Sequence, residues 1–168
     1  MSDSHENIQG AEALEKIKTM ASHARTCQMH TALDKRPIST RPMGLHKATA
    51  DGTFRFLSHK DSLKNREISS SNEMQLTISN DGDSEYMSVF GTATISRNQA
   101  DIDELYNKFA DNWFDGKDDP NITVIYFTPK EGRYCDTKHG KMIQFAGMLI
   151  GAITGKNASD GVEGNLSV

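Results

Sequence analysis

Apolar and polar positions repeat along this chain with two different periods, and the changes of period mark its elements. Over residues 11–24, Leu14, Ile17, Met20, Ala21 and Ala24 recur at helical spacing, while Glu12, Glu15, Lys16 and Lys18 take the other face. That pattern predicts an amphipathic helix lying over a sheet. The period then drops to two. Residues 26–33, 37–43 and 53–58 are predicted strands, separated by Asp34-Lys35-Arg36-Pro37 and Asp51-Gly52 as turns. Pro37 and Pro42 confine the second strand to an edge or a bulge, because proline lacks a ladder N–H. Residues 62–69 read as a short helix with Asp61 or Ser62 as cap. Residues 73–79 and 84–96 are strands joined by Asn80-Asp81-Gly82-Asp83, a hairpin signal. Ile102, Leu105, Phe109 and Trp113 predict a helix over 101–113, and 122–129 with 132–136 a last strand pair. Met142, Phe145, Leu149 and Ile153 predict a closing helix over 141–154, in which Gly147 and Gly151 allow another backbone to approach. Short strands with helices at the beginning, middle and end suggest a mainly β, α+β fold: a small antiparallel barrel with capping helices. Residues 10–155 form one predicted domain between loose tails, 1–9 and 156–168.

Composition narrows the function. The chain has 168 residues and a net charge of −4, with no basic run, which disfavours a non-specific nucleic-acid binder. The opening MSDSHENIQG has no apolar core, so no signal peptide is read there. The apolar stretch 142–153 is too short to span a bilayer and carries Gln144. Cys27 and Cys135 have no CxxC partner; two reduced thiols and a cytoplasmic protein are expected. Asp115, Asp118 and Asp119 lack EF-hand spacing and the histidines are scattered, so no metal site is expected.

The most informative stretch is FRFLSHKDSLK, a buried strand running through a polar turn into a helix. A helix start has unpaired N–H groups and a partial positive charge, which suit a phosphate. Ser58, Ser62 and Lys64 sit at this turn, and Arg41 comes from the strand before it. The alternative is that Ser62 is only a cap and Lys64 only a solvated helix residue. The glycines of a P-loop are missing, so a nucleoside triphosphate is not the expected ligand. In PISTRPM, Ser39, Arg41 and Met43 share one face of the strand. Arg41 is then either aimed at an anion or an ordinary surface residue.

PISTRPM, then FRFLSHKDSLKNREI, then EYMSVFGTATI, resembles the flavin-binding split-barrel family related to pyridoxamine 5'-phosphate oxidase. The stretch DELYNKFADNWFDGKDDPNITVIYFTPKEGRYCD is similar to the bacterial general stress protein branch of that family, with Cys135 in place of an aromatic. The resemblance implies that Arg41, Ser62 and Lys64 hold the phosphate of FMN, with FAD as the alternative flavin. It places Ser58 at the end of the third strand as a further hydroxyl, and Met43 beside the isoalloxazine ring. It puts the strand of Tyr86 and Ser88 near the flavin and the dimer partner. Trp113 is either an aromatic wall for the ring or a plug for the end of its helix. The family's barrels are homodimers with flavin at the subunit interface.

Three function classes follow from the resemblance. The first is a general stress protein that holds FMN, with weak oxidoreductase activity at most. The second is an FMN-dependent reductase or oxidase of a small substrate. The third is a cofactor-free interaction protein. Oxidation of pyridoxine phosphate is not expected: Arg133 is the last arginine, so no basic C-terminal segment is available for a substrate phosphate.

Overall fold

The computed structural model describes residues 4–82, 84–137 and 161–168. Its elements are β1 (Ser4–His5), β2 (Ile8–Gln9), α1 (Gly10–Ser22), β3 (Thr26–Thr31), β4 (Ser39–Gly44), β5 (Phe54–His59), α2 (Leu63–Ser70), β6 (Glu73–Asn80), β7 (Glu85–Ser96), α3 (Gln99–Leu105), β8 (Ile122–Thr137) and β9 (Gly161–Ser167). A single turn of 3-10 helix, Ala110–Asn112, lies between α3 and β8. The strands form one sheet in the order β1-β9-β8-β7-β6-β3-β4, with β5 also on β8 and β2 on β9. The fold is mainly β with helices set against the sheet, as the periodicity predicts.

The long strand β8 organises the molecule. One edge of it pairs with β7 from Val124 to Cys135. The other edge serves two strands in succession: β5 along Ile122–Phe127 and β9 along Glu131–Thr137. This division of one edge between two partners splits the barrel.

The sequence predicts two strands here; the structure has one. Pro129 misleads, since it has no N–H. It falls between the β5 and β9 pairings, beside the register shift at Phe90/Gly91, so no ladder bond is lost. Gly91 fits the same bend: a Cβ there would collide with the Thr128 carbonyl and the Phe127 ring.

The principal core lies between α1 and the inner face of the sheet. Ala13, Ile17 and Met20 of α1 join Met29, Phe54, Phe56, Met74, Leu76, Val89 and Phe127. A second core covers the other face of β5 and the start of β8, where Ile102, Leu105, Ala110 and Phe114 pack on Ile122 and Val124. The predicted helix over 101–113 is broken. Tyr106 turns extended at φ −68° and ψ 129°, and its hydroxyl donates to Asp111 Oδ1 at 2.7 Å. The spacing misleads because Phe109 and Trp113 continue it while facing solvent.

The expected loose ends are also corrected. β1 and β2 pair in parallel with β9, so the two termini hold each other. Tyr134 donates to the Glu6 carbonyl at 2.8 Å, and the Asn165 amide donates to Asn7 Oδ1 at 2.9 Å. Val162, Gly164 and Leu166 alternate inward. That is a period-two signal, but a weak one with only two large apolar side chains. The closing helix predicted over 141–154, with Gly147 and Gly151, lies outside the described residues.

Candidate functional site

β5 ends and α2 begins at the turn singled out by the sequence. Phe54, Phe56 and Ser58 face inward along β5, so the strand delivers a hydroxyl to the edge of the core. Ser62 caps α2: its Oγ accepts from the Asn65 amide at 3.4 Å. The hydroxyl protons can be traced. Ser58 donates to Asn65 Oδ1 at 2.7 Å, so the proton between Ser58 and Ser62, 3.1 Å apart, belongs to Ser62. Asn65 in turn donates to Thr123 at 2.9 Å, and Thr123 donates to the Ser58 carbonyl at 2.9 Å. Each hydroxyl has one proton, and both are committed within the protein. Donors left at this turn include the first amides of α2, which have no intrahelical acceptor, and Lys64.

Arg41 reaches the same region from β4. In the β3–β4 register Met43 faces Cys27, Arg41 faces Met29 and Ser39 faces Thr31. Cys27, Met29 and Thr31 are buried, so Ser39, Arg41 and Met43 share the inner face of the edge strand, as the alternation predicts. Met43 packs against the principal core. Arg41 does not stand alone. Its Nη1 donates to Thr31 Oγ1 at 2.6 Å, and its Nη2 donates to Glu67 Oε2 at 3.0 Å. Thr31 also donates to Glu67 Oε2, and Ser39 donates to Glu67 Oε1. Partial burial pushes the Glu67 carboxyl upward, but the Ser39 and Thr31 hydroxyls and the Arg41 charge outweigh it and hold it below its ordinary value.

Lys64 is half-buried, and among the described residues no acid pairs with it. Burial first, and the Arg41 charge second, lower its pKa. Arg41 thus meets α2 at Glu67, past the capped first turn that carries Lys64. One cation is balanced by Glu67 and the other is not.

The remaining predicted residues lie elsewhere. Tyr86 and Ser88 project from the opposite face of the sheet, where Gln75 donates to Ser88 Oγ at 2.8 Å. A shallow groove of about 370 Å³ runs there between Gln75, Ser88, Phe90, Glu131, Arg133 and Asn165. Tyr86 is 49% exposed. Trp113 does not plug its helix: it is 65% exposed, and Phe114 takes the inward place. Trp113 pairs with the equally exposed Phe109, ring centroids 6.0 Å apart.

The aromatic loop is nevertheless tied to the turn between β5 and α2. The Phe114 ring stacks on His59 at 6.4 Å, and the Lys60 amide donates to the Asn121 carbonyl at 2.8 Å. Arg97 braces the loop through the Asp119 and Ile122 carbonyls, at 2.8 and 2.9 Å. Asp119 accepts from the Asn121 and Asp115 amides, so its carboxylate organises the loop backbone.

Sequence reasoning misses Glu67, Asn65 and Thr31. Asn65 carries a signal, since it shares the buried helical face with Ile68, where a polar residue needs a reason. Glu67 carries none, because its partner lies 26 residues away on another element.

The comparisons with known proteins agree with this architecture. A curated relative, general stress protein 26 of Bacillus subtilis, is 27% identical over 124 residues, 71% of this chain and 85% of that protein. A crystal structure assigned as general stress protein 26 from Jannaschia sp. CCS1 superposes with a TM-score of 0.80 at 21% identity, covering 95% of this chain and all of the other. The general stress FMN/FAD binding protein of Xanthomonas citri superposes with a TM-score of 0.59 at 21% identity, over 73% of this chain and 86% of that one. At these identities the two structures speak for the fold. A family model, pyridoxamine 5'-phosphate oxidase like, matches residues 12–159, which include the β5–α2 turn, the edge strand of Arg41 and the aromatic loop. With the split edge of β8 and the capped start of α2 both inside that match, the chain belongs to the pyridoxamine 5'-phosphate oxidase-like family.

Proposed function

We propose that this protein is an FMN-holding general stress protein that works as a cytoplasmic homodimer. The observation that carries the reading is Lys64: a half-buried ammonium with no acid partner among the described residues, on the first turn of a capped helix that Arg41 also meets. Such a donor set suits a phosphate monoester. Lys64, the α2 amides and Arg41 would hold the phosphate, and Met43 would border the flavin ring. When bound, FMN supplies reversible redox chemistry; the protein's part is to orient it and exclude side reactions.

Within one chain Arg41 and Tyr86 occupy opposite faces of the sheet, and Trp113 stands on an exposed loop. Tyr86, Ser88 and Trp113 would then serve the flavin of a second copy, since one chain does not bring them to its own Arg41 face. The homologous family and the exposed aromatics both support this arrangement. The purified protein is expected to quench FMN fluorescence and to elute as a dimer. Tyr86→Arg is expected to yield monomer with weakened flavin binding. Colourless protein that leaves FMN fluorescence unchanged sinks the proposal. Anaerobic addition of NADH or NADPH separates a holder from a reductase: slow or no bleaching of bound flavin is expected here. Turnover of pyridoxine phosphate is not expected.

A further inference from the structure

We propose that Glu67 is a built-in counter-anion that limits how tightly this site holds a phosphate monoester. The inference rests on the reading that the start of α2 holds phosphate. Its own evidence is the closed ring formed by Arg41, Thr31 and Glu67, with Ser39 as a fourth member. Every polar group in that ring contributes to one carboxylate. Arg41 therefore enters the site already neutralised, and of this pair Lys64 carries the uncompensated charge. The local sum of Arg41, Lys64 and Glu67 is one positive charge, where the sequence alone promises two. A doubly ionised phosphate meets half the field that the two cations would otherwise present, and it must draw Arg41 away from Glu67 to gain a bidentate contact. The side chains of Arg41 and Glu67 are only 21% and 14% exposed, so solvent weakens this competition little. Lys64 and Glu67 both belong to α2, so one short helix carries the attraction and its brake.

This assigns Glu67 two effects of opposite sign. It stabilises the free protein by satisfying Arg41, Thr31 and Ser39, and it opposes the ligand. A residue with a merely structural role would weaken both folding and binding when replaced. The experiment measures apo thermal stability and the Kd for FMN, by fluorescence quenching, for wild type, Glu67→Gln, Glu67→Met and Lys64→Ala. Riboflavin, which has no phosphate, is the control ligand. Both Glu67 variants are expected to melt lower than wild type. They are also expected to bind FMN at least tenfold more tightly, the effect of one unit charge about 6 Å from a dianion even at water-like screening. Riboflavin affinity is expected to stay the same. Weaker or unchanged FMN binding in both variants overturns the proposal. Glu67→Met keeps the side-chain volume and serves if Glu67→Gln does not fold. Lys64→Ala separates the two levels. If it weakens FMN binding while the Glu67 variants fail to tighten it, only the counter-anion inference falls. If Lys64→Ala has no effect, the phosphate reading itself falls.

Discussion

Replacing Lys64 and Arg41 by alanine, one at a time, separates binding from folding. Burial and the neighbouring Arg41 charge lower the pKa of Lys64, so folding disfavours its charged form. The linkage sign follows. Below the folded pKa the lysine is charged in both states and subtracts from stability; that cost fades as pH rises through the folded value toward the unfolded one. At neutral pH, Lys64→Ala removes this cost together with some packing of the stem, so little change in melting temperature is expected. Arg41 behaves differently. Its loss leaves Glu67 half-buried with hydroxyl partners but no cation.

Breaking a fully buried pair costs about 3–5 kcal/mol; partial exposure of both side chains reduces this to about 2 kcal/mol here. For a domain of this size that corresponds to roughly 4–8 °C in melting temperature. Toward FMN the two variants converge. On the proposed reading each is expected to remove a charge-assisted contact worth about 1.5–3 kcal/mol, or roughly 10- to 150-fold in Kd. The assay pairs fluorescence-quenching titrations with thermal unfolding of each apo protein. Lys64→Ala is expected to lose flavin affinity at nearly constant stability, and Arg41→Ala to lose both. A Lys64→Ala protein that binds FMN within threefold of wild type, or that melts as low as Arg41→Ala, refutes the reasoning.

Other residues give independent checks. Ser62→Ala removes the α2 cap and the proton donated to Ser58, and is expected to cost about 1–2 kcal/mol in chemical denaturation. Asp101 accepts from Tyr126 at 2.6 Å and pairs with Arg55 at 2.6 Å. The Tyr126 hydrogen bond first, and Arg55 after the opposing effect of burial, hold its pKa below the ordinary value. Its contribution is therefore complete above the unfolded carboxylate range and lost as pH falls through the folded pKa. Asp101→Asn is expected to be less stable at neutral pH and to show a flatter loss below about pH 4 in acid titrations followed by circular dichroism. Burial pushes the Cys27 thiol up to about 12, whereas Cys135 is exposed. An aromatic disulfide reagent is expected to label one thiol in the native protein and two in denaturant, and Cys135→Ser to abolish the native signal.

What the sequence makes legible depends on how local the cause is. The Ser62 cap, the hairpin between β6 and β7 and the common face of Ser39, Arg41 and Met43 are each decided within a few residues, and each reads directly from the chain. Helical spacing fails beyond Leu105 because a period cannot say which way an aromatic faces: Phe109 and Trp113 hold their places in the repeat while pointing to solvent. The pairing of β1 and β2 with β9 joins segments more than 150 residues apart, and two-residue strands leave no period to detect. In the candidate site the cations are legible and their balance is not. Arg41 and Lys64 stand out by residue type and position, whereas the acid that neutralises one of them is an ordinary helical glutamate until the fold brings it to β4.

That balance explains why the unpaired cation falls on α2 rather than on the sheet. Arg41 extends from an edge strand over a core of methionines and a buried threonine; without Glu67 its charge would be poorly solvated there. Lys64 is on the first turn of a helix, half-buried, with a flexible stem that can reach water when no anion is present. The protein can therefore leave Lys64 unpaired at small cost and must keep Arg41 paired. The hydroxyls of Ser58 and Ser62 follow the same logic, since Ser58 is buried and both protons are committed to Asn65 and Ser58. At this turn the side-chain groups that would be costly to leave unsatisfied are satisfied by one another. Among the groups that remain available to a ligand at this turn, and that water can satisfy in its absence, are the Lys64 ammonium and the first amides of a capped helix.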